Sequence, residues 1–138
     1  MLRIINLLNQ KNHFLEKFYS LNEAELLNFT VGQFENLEAF YQSREKLIGL
    51  IKYLDEEIEK ASTENYTNKE NYKLEIKEAM AIKDEYVNRI LAQDLEILAC
   101  IESAKSNIIK ELQDIKKNKK AVGSYKSKSF QRRLDEKV

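Results

Sequence analysis

Apolar residues recur along most of this chain at spacings of three and four, the period of an α-helix that buries one face. Near the start of the chain this pattern predicts a first helix over residues 1–19. Ser20 and Glu23 then have the spacing of a capping box, in which each side chain binds a backbone N–H at a helix start. We therefore expect the second helix to begin at residue 22.

The second predicted helix covers residues 22–61, and its apolar positions follow a heptad repeat typical of helices that pack along a long seam. The pattern stops in residues 62–71, whose polar side chains compete for backbone hydrogen bonds and predict a turn. A third helix is expected over residues 70–120, with its apolar stripe widened by four leucines, as a helix between two neighbours requires. The heptad positions are Phe40, Leu47, Leu54 and Ala61, and the widening leucines are Leu91, Leu95, Leu98 and Leu112.

Two long helices joined by a short turn pack antiparallel. The chain has no proline, only three glycines and one third charged residues, a composition typical of long helices. We therefore expect an all-α fold: an antiparallel helical bundle built on a long coiled-coil-like hairpin, with a shorter N-terminal helix. The bundle is expected over residues 1–120, and a flexible basic tail, able to form a conditional amphipathic helix, over residues 121–138.

The first predicted helix is too short to cover the hairpin, because it spans about 27 Å and the hairpin about 60 Å at about 1.5 Å per residue. We therefore expect an uncovered apolar stripe on the second helix to bind a partner. In the tail, apolar residues four apart favour a helix that forms only in an apolar groove. The predicted partner-binding residues are Leu47, Ile51, Leu54 and Ile58 in the hairpin, and Tyr125, Phe130, Leu134 and Val138 in the tail.

One carboxylate, Asp94, falls within the apolar stripe of the third helix, where an unpaired charge is unfavourable. A hairpin pivot near residue 65 places Arg44 about 12 Å from Asp94 along the axis, so we expect no ion pair between them. A polar layer around Asp94 is instead expected to fix the register of the helices. Its predicted members are Asn6, Asn9, Gln33 and Asn36.

Candidate catalytic and metal-binding residues are few. His13 is the only histidine and Cys100 the only cysteine, so a zinc ligand set and an intrachain disulfide are not expected. We interpret His13 as a surface residue and Cys100 as a buried thiol. The sequence has no phosphate-binding loop, nucleophile elbow or metalloprotease motif. We therefore expect a protein that is not an enzyme and that needs no cofactor or metal.

The charge and hydropathy patterns bear on location. The chain has 23 basic and 23 acidic side chains, so its net charge does not favour nucleic acid or a membrane surface. The apolar start of the chain is too short and too interrupted for a signal peptide, and no membrane span is expected. These features predict a cytoplasmic protein with no nucleic-acid partner, although the basic tail leaves a nucleic-acid-associated factor as a weaker alternative.

A family resemblance rests on two stretches. Residues 86–129 contain Asp94 in a helix core, the run Ile97, Ile101 and Glu102, then Leu112, a lysine-rich stop and an isolated tyrosine, Tyr125. In this spacing they resemble the third helix and tail of FlgN-like and FliT-like flagellar secretion chaperones. Residues 37–60 look like the second helix of the same family.

The resemblance implies a cytoplasmic, helical export chaperone without enzymatic activity. Such a protein holds unassembled hook-associated or cap-type flagellar proteins and delivers them to the type III export gate. It implies that the C-terminal region binds an amphipathic terminal helix of the substrate, and that Tyr125 engages the gate. A monomer or weak homodimer is expected. The alternative is a structural or adaptor coiled-coil protein that acts through self-association.

Overall fold

The computed structural model describes residues 2–63 and 72–122, with side chains as far as residue 118. Within these ranges the chain forms three α-helices and no strand: α1 (Arg3–Thr30), α2 (Leu37–Ser62) and α3 (Lys73–Val122). The helices pack against one another, which confirms the predicted all-α helical bundle. The predicted ends of the second and third helices at residues 61 and 70 lie close to the observed ends, Ser62 and Lys73.

The chain divides into two compact units, residues 1–100 and 101–138. The first contains α1, α2 and α3 as far as Cys100, and the second contains α3 from Ile101 to Val122. In the second unit Ile108 and Ile109 are exposed. Nearly all of the predicted tail lies outside the described residues, so its flexibility and its amphipathic helix stay predictions.

The predicted boundary between the first two helices is wrong. Ser20 and Glu23 lie inside α1, which continues to Thr30. The reason is burial, since Asn22 and Leu26 continue the buried face of α1 beyond the predicted end. A capping box and one turn of a helix share the same three-residue spacing, and the side chain of Glu23 here accepts a hydrogen bond from α3.

α1 ends at a glycine in the left-handed region. Gly32 has φ +80°, and its N–H donates to the Phe29 carbonyl at 3.1 Å. The Gln33 N–H donates to the Asn28 carbonyl at 2.9 Å, which completes a Schellman motif. The Phe29 ring stacks on Phe34 with centroids 5.1 Å apart. The connection between α1 and α2 is therefore a short, packed turn.

α1 and α2 pack antiparallel over their full lengths. Phe29 and Phe40 are in edge-to-face contact at one end, and Arg3 pairs with Glu57 near the other. The expectation that the first helix leaves Leu54 uncovered is therefore wrong, because Leu54 is only 4% exposed. The core around it contains Ile4, Ile5, Leu7, Leu8, Leu54, Ala61 and Ala79, with Ile58 partly buried against it.

The first part of α3 closes this core. The Asn12 side chain of α1 donates from Nδ2 to the Ala79 carbonyl of α3 at 3.0 Å. A second cluster, nearer the other end of the bundle, joins Ile90 of α3 to α1 and α2. Its buried members are Leu15, Phe18 and Ile90, with Tyr19, Leu47, Ile51, Tyr86 and Val87 partly buried against them.

Candidate functional site

A layer of polar side chains crosses the bundle between the second apolar cluster and the contact of Phe29 with Phe40. Asn22 of α1 is completely buried, and its Nδ2 donates to Gln93 Oε1 and to Asp94 Oδ1, each at 3.1 Å. Gln93 in turn donates from Nε2 to the Tyr19 carbonyl at 3.1 Å and to Glu23 Oε1 at 2.8 Å. Asn22 Oδ1 accepts no hydrogen bond from a described residue, but the bonds that Asn22 and Gln93 donate tie α1 to α3 at one register.

α2 joins the layer through an ion pair between Arg44 and Asp94, so the prediction that these residues do not pair is wrong. Arg44 Nη2 lies 3.2 Å from Asp94 Oδ2, and the guanidinium sits over the rings of Phe18 and Phe40 at 5.0 and 5.3 Å from their centroids. The register of α2 against α3 therefore differs by eight residues from the predicted one, which brings Arg44 level with Asp94. The expected neighbours of Asp94 are also wrong, since all four are exposed: Asn6, Asn9, Gln33 and Asn36.

A shallow open groove of about 690 Å³ runs along α2 beside this layer. Leu37, Tyr41 and Ile48 recur at helical spacing along it, and Tyr41 and Ile48 are 45% and 36% exposed. The aligned apolar side chains form one wall. The other described residues that line the groove are Glu38, Gln42, Arg44 and Glu45.

The neighbouring flank of α3 carries three exposed leucines. Leu91, Leu95 and Leu98 are 56%, 70% and 54% exposed. Leu91 and Leu98 lie three residues before and four residues after Asp94, whose side chain faces α2, so helical spacing puts them on the same flank. Because α2 and α3 are antiparallel and Arg44 pairs with Asp94, the helical turn that contains Tyr41 lies level with Leu98, and the turn that contains Ile48 lies level with Leu91. The described residues that line the groove are all on α2, and helical spacing places the leucines of α3 beside it. We name the combined surface the α2–α3 groove: Leu37, Tyr41, Ile48, Leu91, Leu95 and Leu98.

The predicted partner-binding residues lie elsewhere. Leu47, Ile51, Leu54 and Ile58 pack into the core of the first unit, because α1 covers them. Partner binding at these four side chains stays a prediction, and it would require α1 to leave the core. The other predicted residues lie outside the described residues: Tyr125, Phe130, Leu134 and Val138.

The helical spacing of the leucines on α3 has a different consequence from the one predicted. The exposed leucines of α3 were expected to widen a stripe buried between two neighbours. α3 does contact both α1 and α2, yet Leu91, Leu95 and Leu98 remain outside those contacts. The three leucines are therefore not part of the core of the three helices. Leu37, Tyr41 and Ile48 have a similar helical spacing on α2.

Within residues 2–63 and 72–122, no group of three or more histidine, cysteine, aspartate and glutamate side chains is arranged to hold a metal ion. His13 is exposed beside Phe14, and Cys100 is half-buried rather than fully buried. Several acidic residues serve the helices instead: Asp55 pairs with Lys11 at 2.5 Å, and Glu85 pairs with Arg89 one turn away.

Comparisons with known proteins add no relative: neither a family model, nor a curated protein, nor a solved structure matches the chain. Among the described residues, no helix combines the length and the apolar character needed to cross a membrane.

Proposed function

We propose that this protein is a non-enzymatic helix-binding protein that holds an amphipathic helix of another protein in the α2–α3 groove. The observation that supports it is the exposure of Tyr41 and Ile48 on α2 and of Leu91, Leu95 and Leu98 on α3, which the Arg44–Asp94 pair and helical spacing place on the same side of the bundle. Contiguous exposed apolar surface of this kind is typical of a binding site. A helix laid between the walls would cover both and add a fourth helix to the bundle.

We further propose that the bound protein is an unassembled flagellar protein of the hook-associated or cap type. Support comes from the sequence resemblance to FlgN-like and FliT-like chaperones, whose two stretches, residues 37–60 and 86–129, include both walls of the groove. In this proposal the protein acts in the cytoplasm and passes its substrate to the type III export gate through Tyr125. A bound terminal helix would be kept from polymerising until export.

Peptide binding tests the helix-binding function. The probe is an amphipathic peptide of about 18 residues, long enough to form helix, with leucines at helical spacing. It should bind the wild-type protein, and Leu95→Lys should weaken binding about tenfold or more, because a charge would face the apolar side of the peptide. Leu27→Lys is the matched control, since Leu27 is 72% exposed on α1 and lies outside the groove.

Self-association is the second candidate function. The exposed leucines of α3 favour it, because a second copy of the chain could also cover this apolar surface. Sedimentation over a wide concentration range separates the two. A stable dimer that Leu95→Lys dissociates, with no peptide binding, would favour the structural role. A monomer that binds peptide would favour the chaperone.

Export tests the biological setting. Deleting the gene should lower the amount of one hook-associated or cap-type protein in the culture medium, while its transcript persists. Restoring the wild-type gene should recover export, and restoring the Leu95→Lys gene should not. Unchanged secretion of all these proteins would contradict the flagellar assignment, but it would not contradict helix binding as measured with the peptide.

A further inference from the structure

The wall of the groove on α2 has an acidic edge. Glu38 and Glu45 both line the groove, are exposed, and lie seven residues apart, so they project from the same side of α2 two turns from each other. Neither carboxylate forms an ion pair with another of the described residues. Each is therefore open to a charge on a bound molecule.

Arg44, the basic side chain among the described residues that line the groove, does not offset them. The guanidinium of Arg44 is engaged by Asp94 at 3.2 Å and packs over the rings of Phe18 and Phe40. Its side chain is only 18% exposed. Arg44 thus serves the bundle, and the edge formed by Glu38 and Glu45 keeps its negative charge.

The opposite edge of the groove differs in character. Over the same turns of the hairpin, α3 presents Leu91, Leu95 and Leu98, which are all more than half exposed. The groove is therefore asymmetric across its width, with carboxylates along one edge and leucines along the other. A helix that fills it must match both edges at once.

We propose that the helix bound in the α2–α3 groove is basic along one edge, with Lys or Arg at two positions seven residues apart that face Glu38 and Glu45. Its other edge is apolar and covers the leucines of α3. This inference rests on the proposed function and adds the charge of the partner and the rotation of its helix about its own axis. Exposed ion pairs contribute little to affinity, so the acidic edge selects among helices while apolar burial holds them.

Two peptides that differ only at the edge test this inference. Both have the same leucine positions, and one carries Lys at the two edge positions seven apart while the other carries Glu there. Wild-type protein should bind the Lys peptide about three- to tenfold more tightly than the Glu peptide, because exposed pairs are attractive in one case and like-charged in the other. The preference should nearly vanish in about 1 M salt, where the screening length falls to about 3 Å.

A charge reversal on the protein completes the test. The variant Glu38→Lys/Glu45→Lys should prefer the Glu peptide. The control variant Glu56→Lys/Glu59→Lys makes the same change in net charge on α2 but beyond the groove, and it should keep the preference for the Lys peptide. Because all four residues are exposed, circular dichroism melts should show that both variants fold.

The outcomes separate the inference from the proposed function. Equal binding of the two peptides to wild type, or a control variant that reverses preference as fully as the groove variant, would overturn the acidic-edge inference and leave helix binding intact. Failure of both peptides to bind would overturn helix binding as well. A dimer that Leu95→Lys dissociates, with no peptide bound, would show that a second copy of the chain occupies the groove.

Discussion

Arg44 of α2 and Asp94 of α3 form an ion pair, with Nη2 3.2 Å from Oδ2, at the level where all three helices contribute polar side chains. Asp94 also accepts a hydrogen bond from Asn22 of α1. Asp94 is therefore the point at which α3 is held to both other helices. This contact sets the register that aligns the two walls of the groove.

Removing the arginine should destabilise the bundle. Arg44→Ala leaves the half-buried carboxylate of Asp94 without its counter-ion and removes the guanidinium from above two aromatic rings. We expect the free energy of unfolding to fall by about 2 to 4 kcal/mol, measured by urea denaturation. Arg89→Ala is the control, because Arg89 pairs with Glu85 on the exposed surface of α3, and it should change stability by less than about 0.5 kcal/mol.

The buried asparagine should behave differently from the ion pair. Asn22→Ala removes two donated hydrogen bonds and leaves Gln93 Oε1 without its partner, which should destabilise the protein by about 1 to 3 kcal/mol. The double variant Asn22→Leu/Gln93→Leu replaces the buried polar pair by apolar side chains of similar size. It should recover most of that loss in thermal melts, because well-packed apolar groups often replace buried polar groups without cost.

The two variants also test why the layer exists. If the layer specifies register, the double variant should melt at a similar temperature but over a broader range, or bind the groove peptide less tightly. A sharp transition and unchanged peptide affinity would show that Asn22 and Gln93 contribute stability alone.

The sequence predicted some of these features and missed others for physical reasons. The heptad of α2 and the polar character of Asp94 follow directly from residue types and spacing. The partner of Asp94 does not, because moving the pivot of an antiparallel hairpin by four residues moves the facing position by eight, about 12 Å. Apolar spacing likewise shows that Leu95 lies on a stripe, but only the packing of the described helices shows that it is 70% exposed.

The boundary between α1 and α2 was missed because two signals competed. Ser20 and Glu23 have the spacing of a helix start, while Gly32 ends the stripe that runs through Leu26 and Phe29. Burial of that stripe decides between them, because a cap contributes about 1 kcal/mol and each buried apolar side chain about 1.5 to 3 kcal/mol. Gly32 is the correct helix-end signal, because the apolar stripe of α1 continues through Leu26 and Phe29 until shortly before it.

The two described glycines should respond to alanine with opposite signs. Gly32 has φ +80°, so Gly32→Ala is strained and should lower the free energy of unfolding by about 1 to 2 kcal/mol. Gly49 lies within α2, and a methyl group there would contact nothing within 4 Å. Gly49→Ala should therefore raise stability by about 0.5 to 1 kcal/mol. Urea denaturation of both variants tests the end of α1 directly, since a helix running through Gly32 would make alanine stabilising there too.

The burial of Leu54 is the sharpest test of the α1 packing. Leu54 is 4% exposed among side chains of α1 and α3, so Leu54→Ala should destabilise the protein by about 2 to 5 kcal/mol through lost burial and a cavity. Leu50→Ala, one turn earlier on α2, removes a side chain that is 44% exposed and should cost less than about 1 kcal/mol. An equal and small effect at both positions would mean that α1 does not cover Leu54. In that case the apolar stripe of α2 that contains Leu54 would be accessible to a binding partner.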